Sequence, residues 1–87
     1  MKIVALISAV LEFPEEQQTA FNKIVSAHKH MIKGRMGLPL EDYGVAAIAI
    51  VAAGTADEIN SFTGKLGSLP NVRVKTTISQ KKERANI

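Results

Sequence analysis

The chain has 87 residues, 46% of them hydrophobic and 22% charged, with no Cys, so it encodes one ordinary globular domain. The missing Cys excludes disulfides, thiolate zinc sites and iron–sulfur ligation by its own side chains. The net charge of +3 comes entirely from residues 31–87, where eight Lys and Arg face five Asp and Glu; this permits an anionic partner without demanding one.

Residues 2–11 read as a first strand with apolar side chains on both parities, Ile3, Ala5, Ile7 and Ala9 against Val4, Leu6 and Val10. Lys2 followed by Ile3 to Leu11 mimics a signal peptide. No small-residue cleavage site follows it, though, and the run is too short to span a bilayer, so a reducing cytoplasm and no membrane partner are expected. Pro14 suits the first turn of a helix, and Glu15 and Glu16 suit its positive end. Ala20, Phe21, Ile24, Val25, Ala27, His28 and Met31 then form a stripe wide enough to lie on a sheet. About residues 31–38 read as strand two, with Ile32, Met36 and Leu38 on one face and Lys33 and Arg35 on the other. Leu38 to Gly44 is a turn carrying Pro, Asp and Gly.

Val45 to Ala53 is an unbroken apolar run stopped by Gly54 and followed by a helix-start signal. Thr55 with Glu58 three residues on makes a capping box, and Ile59, Phe62, Leu66 and Leu69 mark one helical face. Gly67 is expected to end that helix in a left-handed conformation, before Pro70 forbids its continuation. Val72, Val74, Thr76 and Ile78 alternate with Arg73, Lys75, Thr77 and Ser79 as a half-buried strand, and residues 80–87 form a charged, frayed tail. The order is β-α-β-β-α-β, the ferredoxin-like α+β arrangement: a four-stranded antiparallel sheet with two helices on one face. Strands one and three, nearly all apolar, belong in the centre; the Lys- and Arg-bearing strands two and four belong at the edges.

Two helices cover one sheet face only, so the central strands leave an apolar strip that predicts burial in a homo-oligomer. Ile3, Ala5 and Ile7 with Ala47, Ala49 and Val51 are its expected interface residues, bordered by Lys33, Arg35, Arg73 and Lys75 if those share the face.

Gly64-Lys65-Leu66-Gly67 followed by Val72-Arg73-Val74-Lys75-Thr76 resembles a small family, the iron-only hydrogenase system regulators, which are short stand-alone ACT-like domains. The similarity runs from about Met31 to Thr77 and includes Arg35, Gly37, Pro39 and the apolar strand at 45–53. It implies an ACT-like or nickel-regulator-C-terminal-like fold, an oligomer and a regulatory role, with no family functional residues to carry over. Two departures from better-understood relatives stand out. Leu11 to Glu15 lacks the Gly that amino-acid-binding ACT domains have after strand one. The ribbon-helix-helix and His/Cys site of nickel-responsive repressors have no counterpart either.

The remaining chemistry is sparse. His28 and His30 diverge on a helix but share a face on a strand, so they offer half of a metal site completed by a symmetry mate. Against this, His28 also belongs to the helix stripe, and His30 suits a helix C-terminus. Gly64-Lys65 fails as a phosphate loop, because Ile59 and Leu66 stand where Gly and Ser or Thr are needed. Glu15–Glu16 and Glu41–Asp42 point apart rather than pairing as acid and base. The central strands carry no aromatics for RNA stacking, so nucleic acid is not an expected partner. The expectation is therefore a non-enzymatic regulatory domain without cofactor, whose partners are its own copies and a small-molecule effector. Its ligand zone would be the Glu12 to Glu16 loop, including Phe13, facing the turn from Gly37 to Gly44, with Arg35 as the positive group for a carboxylate.

Overall fold

A computed structural model describes residues 2–79; the expected C-terminal tail lies outside the described residues. The elements run β1 (Ile3–Leu11), α1 (Pro14–Ala27), β2 (Ile32–Leu40), β3 (Val45–Gly54), α2 (Ala56–Gly67) and β4 (Val72–Ile78), with single 3-10 turns at Lys29–Met31 and Glu41–Tyr43. All strand pairs are antiparallel and the sheet order is β2-β3-β1-β4, so the two apolar strands are central and the charged ones are edges.

Each element follows from local chemistry. Pro14 opens α1, where its missing N–H is harmless, with Glu15 and Glu16 in the first turn. The Thr55 hydroxyl accepts from the Glu58 N–H at 3.2 Å, while the Glu58 carboxylate accepts from the Thr55 N–H at 2.8 Å, closing the capping box that starts α2. One glycine expectation is corrected, and a second glycine, Gly64, is placed. Gly67 stays within right-handed α2, whose cap, Ser68, is also right-handed. The left-handed residue of this connection is Asn71, with φ 62°, a conformation Asn tolerates because its short side chain bonds locally. Gly64 is not a close-packing glycine, since a Cβ there would meet nothing within 4 Å.

The core lies between the sheet and the two helices. Phe21 and Val25 of α1 and Ile59, Phe62 and Leu66 of α2 are buried against Ala5, Ile7, Ala9 and Leu11 of β1 and Ile50 and Ala52 of β3. The register pairs Ile7 with Ile50 and Leu6 with Val51, which fixes the faces: odd-numbered β1 residues look toward the helices and even-numbered ones look away. Ile3, Ala5 and Ile7 are thus corrected as interface residues, because Ala5 and Ile7 are fully buried beneath the helices. Ala47, Ala49 and Val51 do lie on the open face, opposite Val10, Ser8 and Leu6.

Strand two needs a similar correction. A bulge at Lys33 shifts the register between Ile32 and Gly34, so Ile32 faces the helices while Met36 and Leu38 face away. An inserted residue reverses every later side chain, which separates Ile32 from the residues whose parity it shares. Arg35 consequently lies on the helix side, whereas Arg73 and Lys75 border the open strip.

Candidate functional site

The helices cover β1 and β3 but leave β2 projecting beyond them, with Lys33 to Pro39 exposed. Between α1 and this overhanging edge runs a groove of about 570 Å³. That volume falls in the usual range for small-molecule sites. Buried Leu11 and Phe21 form its base with half-buried Val45 and Ile48, and Arg35, Glu15 and Glu41 supply charge.

Arg35 reaches this groove because it pairs with Ile50, a helix-facing position. One guanidinium nitrogen donates to the Asn22 Oδ1 at 3.2 Å, so α1 holds the head in place. Among the described residues no carboxylate forms an ion pair with it, which leaves most of its five donors available. Gly37 also lines the groove. A Cβ there would sit 4.0 Å from the Ile48 Cγ1, an ordinary contact, so any side chain at 37 narrows the groove without a clash.

Arg35 and Gly37 of the expected ligand zone therefore meet in one groove, joined by Pro14, Glu15, Pro39 and Gly44. Glu12 and Phe13 do not join them. The Glu12 carboxylate accepts from the Arg73 Nε at 3.0 Å, and Phe13 is half exposed outside the lining. Glu12 continues the even parity of β1 and is drawn toward β4, away from β2. Among the lining residues that sequence reasoning missed are Phe21 and Asn22 of α1. Their helical spacing marked Phe21 as core, and nothing in the chain marked Asn22 as the partner of Arg35.

His28 and His30 line a second, shallower depression with Met31, Asp57, Glu58 and Ser61. The His28 Nδ1 lies 2.9 Å from the Ile24 carbonyl oxygen, to which it donates as the protonated nitrogen, and its ring packs at 5.0 Å from that of Phe62. The His30 Nε2 lies 3.6 Å from the Glu58 Oε2. The N–H and hydroxyl of Thr55, and then His30, hold the Glu58 carboxyl below its ordinary value. Among the described residues no group of three His, Asp or Glu side chains is arranged to hold a metal.

On the far side of the sheet, Val4, Leu6, Val10, Met36, Leu38 and Val51 expose apolar surface around Ser8, Ala47 and Ala49. A one-sided sheet, an apolar open face and a groove under one edge define a small ferredoxin-like α+β domain with two candidate surfaces that meet at Leu38. The chain belongs to the TM1266-like family, described as an iron-only hydrogenase system regulator, whose model matches residues 3–76.

Among solved structures, the uncharacterized protein TM1266 from Thermotoga maritima is 29% identical, with a TM-score of 0.86 over 90% of this chain and 98% of that one. An unknown protein from Galdieria sulphuraria is 13% identical, with a TM-score of 0.65 over 95% of this chain and 48% of that one. SnoaB, a cofactor-independent oxygenase from Streptomyces nogalater, is 12% identical, with a TM-score of 0.54 over all of both chains. The last two share the fold alone. No curated protein matches the chain. Among the described residues no helix is long and apolar enough to cross a membrane.

Proposed function

We propose that this chain is a non-enzymatic, cytoplasmic regulatory domain that acts as a homo-oligomer and takes a small-molecule effector in the groove between α1 and β2. The observation that carries the reading is the open apolar sheet face. Six large hydrophobic side chains on it are 39–71% exposed, a contiguous patch of the kind that marks an interface. The groove supports the effector: an apolar base beside an arginine without a carboxylate partner suits a ligand with one anionic end. A binding role rather than catalysis is favoured because both histidines lie in the other depression, leaving no imidazole in the groove to act as a general base. Sedimentation velocity at micromolar concentration is expected to give a dimer or larger species, and a stable monomer would remove the reading. Thermal-shift screening against carboxylates, nucleotides and amino acids tests the groove. Gly37→Val, which narrows it beside Ile48, is expected to abolish any shift seen with the native chain.

A nickel-type sensor using His28 and His30 across a dimer is the second reading, favoured by the depression they share with Asp57 and Glu58. Titration calorimetry with nickel and zinc checks it. Heat that disappears in His30→Ala supports it, and a flat trace removes it.

A further inference from the structure

We infer that the open sheet face is covered by the same face of a second copy, related by a two-fold axis parallel to the strands, so that β2 of each copy lies over β4 of the other. This rests on the homo-oligomer reading above and adds the arrangement.

The register sets the open-face side chains in rows across the sheet. Leu38, Ala47, Val10 and Arg73 form one row, and Met36, Ala49, Ser8 and Lys75 the next. Both rows are apolar at the β2 edge and basic at the β4 edge; the second is small in the middle, and the first has Ala47 beside Val10 there. Met36 is 71% exposed and Leu38 57%, so the β2 border is the part most in need of cover. Glu12 pairs with Arg73, but among the described residues Lys75 has no ion-pair partner.

Two aligned sheets packed face to face stand about 10 Å apart, their strands within about 30° of each other. Two two-fold axes bring this face onto itself in that way. An axis perpendicular to the strands stacks β4 on β4 and gathers the cations of both copies along one edge, while Met36 and Leu38 meet only their own edge. An axis parallel to the strands stacks β2 on β4. The alkyl stems of Lys75 and Arg73 then lie over Met36 and Leu38 of the second copy, with the charged ends reaching water at the rim. With Arg73 paired to Glu12, it also separates the two Lys75 edges by three strand spacings, about 14 Å, beyond the screening length of about 8 Å at physiological salt. Charge and apolar cover select the same axis. At the centre, small Ala47, Ala49 and Ser8 let the sheets approach, and the Ser8 hydroxyl already donates to the Lys75 carbonyl at 3.5 Å, so burial does not strand it.

The footprint is that of a weak dimer, roughly 440 Å² per copy in projection against about 800 Å² per partner in a standard interface. β1 pairs with both neighbours from Ala5 to Leu11, a patch about 23 Å long and about 19 Å wide at standard strand dimensions.

Because the chain has no Cys, introduced thiols report alone. The variants are Met36→Cys, Lys75→Cys and the double substitution, each treated with a short bis-maleimide after sedimentation has established the oligomeric state. The double variant is expected to give a covalent dimer, and each single variant to stay uncoupled, because like positions lie on opposite edges. Within one copy the two positions are also three strands apart. Ala49→Glu, at an open-face position, is expected to sediment as a monomer with unchanged circular dichroism and to prevent coupling in the double variant. Coupling of Met36→Cys to itself would overturn the arrangement while leaving the homo-oligomer standing, as would a dimer that couples in none of the three. A native chain that sediments as a monomer would overturn both.

Discussion

Thr55 and Glu58 show how much a pair of side chains contributes at the residue scale. Their reciprocal bonds satisfy two of the N–H groups that every helix start leaves open. Thr55→Ala is expected to cost about 1 kcal/mol, read as a lower midpoint in chemical denaturation. The pH dependence follows from the lowered pKa of Glu58, whose first cause is the bond from the Thr55 N–H. A carboxyl depressed on folding stabilises the protein above its unfolded value, and that contribution is lost as pH falls through the folded one. Stability should therefore decline below about pH 4.5, the ordinary carboxyl value, and Glu58→Gln should make that acid limb shallower. An unchanged limb in denaturation curves taken down to about pH 3 would show that the cap does not titrate. Gly64 lies inside α2, at a right-handed position with open space around its missing Cβ. Gly64→Ala is expected to stabilise by about 0.5–1 kcal/mol, because Ala loses less backbone freedom on entering a helix. A lower melting temperature would contradict that.

The faces of β1 make the same point for a whole element. Ile7 and Leu6 are neighbours of equal hydrophobicity, yet Ile7 is fully buried under both helices and Leu6 is 50% exposed on the open face. Ile7→Ala is expected to cost about 2–4 kcal/mol through lost burial and the cavity left behind. Leu6→Ala should cost the isolated fold little and instead weaken self-association, measured as a raised dimer dissociation constant. If both substitutions destabilise the fold equally, the helices do not divide the faces as described. Strand two carries the complementary lesson. Its bulge at Lys33 turns Arg35 into the groove and Met36 and Leu38 onto the open face. A one-residue insertion thus gives one strand a share in both the groove and the open face.

At the scale of the whole molecule, the groove and the open face lie on opposite sides of one sheet and meet only along its β2 edge, at Leu38. They should be separable by mutation. Gly37→Val is expected to abolish ligand-induced thermal shifts and leave sedimentation unchanged, whereas Ala49→Glu should do the reverse if the groove is complete within one copy. Loss of ligand response in Ala49→Glu would instead mean that the groove needs a second copy.

The β-α-β-β-α-β order, the central places of β1 and β3 and the capping box were legible from the chain alone, because periodicity and punctuation are local properties. The family was legible from the helix-to-strand segment at Gly64 to Thr76. What only the tertiary structure decided is direction. Both parities of β1 are apolar, so the chain could not tell which one the helices cover. Nor could periodicity reveal the bulge that reverses β2, the choice of Arg73 as the partner of Glu12, or the bond from Arg35 to Asn22. Those outcomes depend on which distant segments meet, and a pattern of near neighbours carries no record of that.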